Sequence, residues 1–159
     1  MDENRKPDLY AKSNARGQVM QFVKHTIDKK LKVGKEYFFE SVSTVFDNFH
    51  VVFEDDENTG YVYVLDTKNL INGNPIQDAV HIYNVKDVTD KNLPSEIGFL
   101  WSEDGIICIF LINDYPHAVI NFKEKYCFCR TGFPPKDKKS IWSKDGHNWN
   151  EEIYNKLIK

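Results

Sequence analysis

The segment Ile106–Ile112 reads IICIFLI, seven apolar residues in succession. The run is too short for a membrane helix and rich in β-branched side chains, so it predicts a strand buried on both faces. Its flanks sharpen this. Upstream, Ile97–Trp101 leads into Ser102-Glu103-Asp104-Gly105, where Asp-Gly signals a tight hairpin because glycine reaches positive φ without a steric penalty. Downstream, Asn113-Asp114-Tyr115-Pro116 is a second turn, and His117–Phe122 continues as strand with Pro116 at its start. The expectation is an antiparallel meander whose middle strand lies at the centre of a sheet.

The rest of the chain supplies elements that such a sheet would recruit. Phe49, Val51 and Phe53 alternate with His50, Val52 and Glu54, and Tyr61, Tyr63 and Leu65 alternate with Val62 and Val64. Asn48–Asp66 therefore reads as a hairpin around the acidic turn Glu54-Asp55-Asp56-Glu57. Ala79–Val85 and Tyr126–Arg130 are further strands. Val19, Phe22, Val23, Ile27 and Leu31 recur at helical spacing, which predicts an amphipathic helix over Gly17–Leu31. Trp149, Ile153 and Leu157 predict a short helix over Asn148–Ile158, with Asn148 as its N-cap. The motif W-S-x-D-G occurs twice, from Trp101 and from Trp142, and reads as one turn chemistry used twice.

These elements define one α+β domain: a curved, mainly antiparallel sheet with an N-terminal and a short C-terminal helix. Residues 1–16 read as a flexible tail, 17–31 as the helical extension and 32–159 as the domain proper. The chain has 159 residues, enough to bury roughly 70% of its unfolded surface without staples. Cys108, Cys127 and Cys129 have no framework spacing, and the opening Met1-Asp2-Glu3-Asn4 is not a signal peptide, so reduced thiols and a cytoplasmic location are expected. No apolar run reaches the ~18 residues of a membrane span.

Charge is segregated. Residues 1–36 carry nine basic and five acidic side chains, 37–122 three basic and fourteen acidic, and 123–159 nine basic and five acidic, giving +4, −11 and +4. An acidic centre argues against nucleic acid as the primary ligand and favours a basic protein partner. On that reading Asp55, Asp56, Glu57 and the neighbouring Tyr61 form the contact surface. Adjacent acids without spacers or a closing glutamate do not resemble a calcium loop, and C-x-C within a strand lacks the turn of a zinc site. No metal or cofactor is expected. The sequence has no G-x-S-x-G, Walker loop or G-x-G-x-x-G. The competing reading is a small enzyme or ligand-binding protein in which His81, Tyr83, His117 and Arg130 converge on one sheet face, His117 as general base and Arg130 as anion clamp. A homodimer formed through a sheet edge or through residues 17–31 is a third.

Several stretches in combination resemble an uncharacterised bacterial domain-of-unknown-function family. They are Val52–Asp56 with Thr59-Gly60-Tyr61, His81–Val85, Pro94–Glu96, Trp101-Ser102, Asn113–Val119, Cys129–Thr131 with Phe133–Pro135, and Trp149. The resemblance covers about Leu31 to Trp149 and leaves the residues before Lys30 as an extension. It implies a fold boundary and no activity. Small acidic α+β bacterial domains are similar in style to immunity proteins that neutralise toxins, which is an analogy of type.

Overall fold

The computed structural model describes residues 12–13 and 19–158. Lys12–Ser13 (β1) and Val19–Met20 (β2) pair as a two-stranded ribbon. Nine further strands follow: Phe22–Leu31 (β3), Tyr37–Val42 (β4), Phe49–Asp55 (β5), Thr59–Asp66 (β6), Ile76–Asn84 (β7), Ser95–Ser102 (β8), Ile107–Ile112 (β9), Tyr115–Asn121 (β10) and Tyr126–Cys129 (β11). A helix, Glu151–Ile158 (α1), closes the described chain.

The strands divide between two antiparallel sheets, ordered β4-β5-β6-β7 and β11-β10-β9-β8-β3. The apolar run thus occupies the middle of the five-stranded sheet, and every residue from Ile107 to Leu111 is buried. Each sheet turns one face inward. Val51, Phe53, Val62, Val64 and Val80 from the smaller sheet join Ile97, Phe99, Trp101, Phe110 and Ile120 from the larger in one core. Phe53 and Phe110 stack across it with ring centroids 5.0 Å apart. A buried polar chain also crosses between the sheets. The Trp101 indole N–H donates to Ser41 Oγ at 2.8 Å, and Ser41 Oγ lies 2.7 Å from Thr26 Oγ1. A second core of Phe22, Leu100, Ile109, Val119 and Phe128 lies on the opposite side of the five-stranded sheet, under Trp149, Ile153, Tyr154 and Leu157. The molecule is therefore a two-sheet sandwich with one outer face covered by α1.

The N-terminal helix expected over Gly17–Leu31 is not formed over the described part of that range: Phe22–Leu31 is a strand pairing with β8. Two register shifts, between Lys24 and Thr26 and between Asp28 and Leu31, interrupt its alternation. The interruption leaves apolar residues at helix-like intervals, yet Phe22 packs in one core and Leu31 in the other. Residues 17 and 18 lie outside the described residues. At the other end α1 begins at Glu151. Its cap is Asn150, whose Oδ1 accepts the Ile153 N–H at 2.9 Å, rather than Asn148.

The repeated W-S-x-D-G is the same turn in both places. Gly105 N–H donates to Ser102 O and Gly146 N–H to Ser143 O, each at 2.9 Å, and both glycines have positive φ. Each serine hydroxyl also accepts a buried strand N–H at 2.9 Å, from Ile107 and from Cys127.

Candidate functional site

The acidic turn between β5 and β6 separates into inward and outward carboxylates. Asp55 follows Phe49, Val51 and Phe53 in the strand's alternation, so it points into the core and is fully buried. Its Oδ2 accepts the Tyr83 hydroxyl at 2.6 Å and the Gly34 N–H at 2.8 Å, and its Oδ1 accepts the Glu57 N–H at 2.8 Å. Three donors satisfy a carboxylate that would otherwise be costly to bury. Asp55 is an internal tie, and the expected contact surface loses it. Asp56 is exposed and accepts the N–H groups of Asn58 at 2.9 Å and Thr59 at 2.8 Å, which hold its carboxyl below the usual range. Glu57 is exposed beside it at positive φ, and Tyr61 is half-buried.

Tyr61 belongs to the outer face of the four-stranded sheet. Register places Phe38, Glu54, Tyr61 and His81 in one row across the four strands, and Glu40, Val52, Tyr63 and Ala79 in the next. Tyr61 and Tyr63 stack at 6.0 Å. Phe38, on the edge strand, is 65% exposed. Among the described residues no helix or strand covers this face.

The alternative set does not meet at one point. Tyr83 packs on Gly60, where an added Cβ would stand 2.7 Å from its ring, and is spent on Asp55. His81 Nδ1 lies 3.0 Å from Thr131 Oγ1 and its Nε2 2.9 Å from Asn84 Oδ1. His117 and Arg130 are neighbours, the Arg130 N–H donating to His117 O at 3.1 Å, and they group with Tyr115, Trp149 and Glu151. The Arg130 guanidinium stacks between two rings, 3.6 Å from the Trp149 centroid and 4.6 Å from that of Tyr115, and its Nε donates to Pro116 O at 2.9 Å. Glu151 Oε1 stands 3.9 Å from Nη1. The cation is thus bound by its own chain, gripping the approach to α1. Burial, with a contribution from Arg130, pushes the His117 imidazole down to about 4, far below the value that suits a general base at neutral pH.

Sequence reasoning missed a buried polar cluster under the strap that follows β11. His147 Nε2 lies 2.9 Å from Asp78 Oδ1, and its Nδ1 lies 2.6 Å from Pro134 O. Ser143 Oγ donates to Asp78 Oδ2 at 2.5 Å. Both ring nitrogens face acceptors, so the protonated imidazolium fits, and the Asp78 contact holds the His147 proton against the opposing effect of burial. The serine addresses the carboxylate and no free imidazole nitrogen is left to take its proton, unlike a Ser-His-Asp nucleophile. The sequence separation of 69 between Asp78 and His147 left no local signal. Cys127 and Cys129 share one face, as residues two positions apart in a strand must, and both are buried. The Cys129 thiol meets Thr131 Oγ1 and Phe133 O, each at 3.6 Å.

An α+β sandwich of two antiparallel sheets, with polar ties in its interior and one bare sheet face, is the class that these features define. The chain belongs to the family described as uncharacterized protein conserved in bacteria (DUF2251), whose model matches residues 31–158. It is similar to a protein of Haemophilus influenzae described as an uncharacterized protein, 37% identical over 131 residues, which span 82% of this chain and 76% of the relative. No solved structure matches the chain. Among the described residues no helix is long and apolar enough to cross a membrane.

Proposed function

We propose that this protein is a non-catalytic, cytoplasmic protein-binding module that docks a basic partner on the outer face of its four-stranded sheet, acting as an immunity protein acts on a toxin. The observation that carries this reading is the bare face itself. It offers an aromatic surface of Phe38, Tyr61 and Tyr63, edged by the carboxylates of Glu40, Glu54, Asp56 and Glu57. Aromatic anchors ringed by charge are the anatomy of a docking surface, with the charge setting partner choice and encounter rate. The negative sign selects a partner rich in lysine and arginine, and a second copy in face-to-face contact would bring like charges together.

The test places a photo-crosslinking residue at Phe38 in the full chain and compares the adducts with those of the same chain carrying Glu54→Lys and Glu57→Lys. Adducts with a basic protein that vanish on charge reversal and thin out at high salt are expected. Adducts with nucleic acid or lipid alone, or protein adducts indifferent to the reversal, would remove the proposal.

A further inference from the structure

Arg130 shows how this chain holds a guanidinium of its own. The cation lies between the Trp149 and Tyr115 rings, whose centroids are 3.6 and 4.6 Å away, and the Glu151 carboxylate stands 3.9 Å from its Nη1. Two rings and a carboxylate suit arginine, because its planar head can stack on its faces and donate hydrogen bonds from its edge at once.

The outer face of the four-stranded sheet carries the same parts without the cation. Cross-strand register sets Glu54 directly between Phe38 and Tyr61. These two rings are two strands apart, about 9.5 Å at the usual strand spacing, which leaves room for one flat group between them. Tyr63 lies on the diagonal from Glu54, and burial first and the Glu54 charge second push its hydroxyl above the usual tyrosine range. Beyond Tyr61 the rings continue edge-on, to His81 at 5.5 Å and from His81 to Phe133 at 6.0 Å, and back the slot with an aromatic wall.

The carboxylates of this face differ in what they already hold. Glu40 lies 2.6 Å from His50 Nδ1, and Asp56 accepts two N–H groups of its own turn. Glu54 is half-buried and forms no ion pair among the described residues. Neither its row across the strands nor the next contains a lysine or an arginine to balance it. A partly desolvated carboxylate among rings calls for a cation, and the ring faces favour one that is flat and weakly hydrated.

We infer that the slot over Glu54 takes one arginine side chain of the basic partner, its guanidinium lying between Phe38 and Tyr61 and donating to the Glu54 carboxylate. This rests on the docking reading above and adds the anchor to it, arginine in preference to lysine. A compact ammonium neither fills a slot between two rings nor spans both oxygens of a carboxylate.

The experiment titrates the full chain, 13C-labelled in its Phe and Tyr rings, with N-acetyl-Gly-Arg-Gly-amide and with its lysine counterpart, following the Phe38 and Tyr61 resonances. The arginine peptide is expected to shift both and to saturate, and the lysine peptide to bind about two- to fivefold more weakly, the scale of one exposed cation–π contact. Glu54→Gln should bring the arginine peptide down to the lysine level. Glu103→Gln removes the same charge from the exposed turn between β8 and β9 and should leave arginine binding unchanged. Rings that neither peptide moves, equal affinity for the two peptides, or equal losses in Glu54→Gln and Glu103→Gln overturn the inference. The crosslinking test at Phe38 does not depend on arginine, so charge-sensitive basic adducts beside any of these results would leave docking in place and remove this anchor alone.

Discussion

The outer faces of the two sheets draw on similar aromatic and β-branched residues and meet different surroundings. On the five-stranded sheet the outward side chains are Leu100, Ile109, Val119 and Phe128, and α1 with Trp149 lies over them. On the four-stranded sheet the outward rows mix aromatics with Glu40, His50, Glu54 and His81 and have no cover among the described residues. Strands apolar on both sides must be sandwiched, whereas strands polar on one side can leave that side in water. The comparison teaches that the covered face contributes to stability, whereas the bare face adds little packing to it.

Substitutions on the two faces should therefore differ sharply. Phe128→Ala removes a ring that stands edge-on to Trp149 at 5.0 Å beneath the helix, and should cost about 3–5 kcal/mol in urea unfolding. A cost near zero would mean that α1 does not cover this sheet in solution. Arg130→Ala should cost about 1–2 kcal/mol by losing the stack between Tyr115 and Trp149, and Arg130→Lys should recover only part, since an ammonium cannot lie flat between two rings.

The pH dependence of stability separates the two regions further. His117, on the covered side, has a folded pKa of about 4, below its unfolded value of ~6.5. Between these values the unfolded chain binds the extra proton, so stability falls as pH drops through that window. His147 ties the strap to β7 of the smaller sheet, and its pKa is raised. Its contribution is fully present below pH ~6.5 and is lost as pH rises through the folded value. Unfolding curves across pH should lose their acid limb in His117→Gln and their alkaline limb in His147→Gln. The smallest effect belongs to the bare face, where Phe38→Ser and Tyr63→Ser should each change stability by within about 0.5 kcal/mol while weakening the docking proposed above. A loss of several kcal/mol at either position would show that something covers this face.

Period and turn chemistry made much of this fold legible. The run Ile106–Ile112, the hairpins on either side of it and the alternation over Asn48–Asp66 are all formed, because each is decided by residues within a few positions of one another. Division into two sheets was not legible, since the consecutive strands β7 and β8 fall in different sheets and β3, its alternation blurred by bulges, pairs with β8 rather than with β4. Of the acidic turn, Asp56 and Glu57 reach the surface. Asp55 does not, although parity with Phe53 already placed it on the inner face. Arg130 and Trp149 could each be singled out, but their stacking spans the turn and strap between β11 and α1, where no periodicity operates. The Asp78–His147 pair lay equally beyond local pattern.

The pairing of β3 with β8 also sets a schedule for the chain as it is made. β3 leaves the ribosome first among the long strands, but Ser95, the partner of Leu31, is synthesised 64 residues later, counting from 31 to 95. At 5–20 residues per second that is a wait of roughly 3–13 s. The hairpins of β4 to β7 form from neighbouring sequence and can be complete before β3 finds its place. An emerging chain would thus hold a finished smaller sheet beside an unattached leading segment, which makes that segment the natural point for a chaperone to grasp.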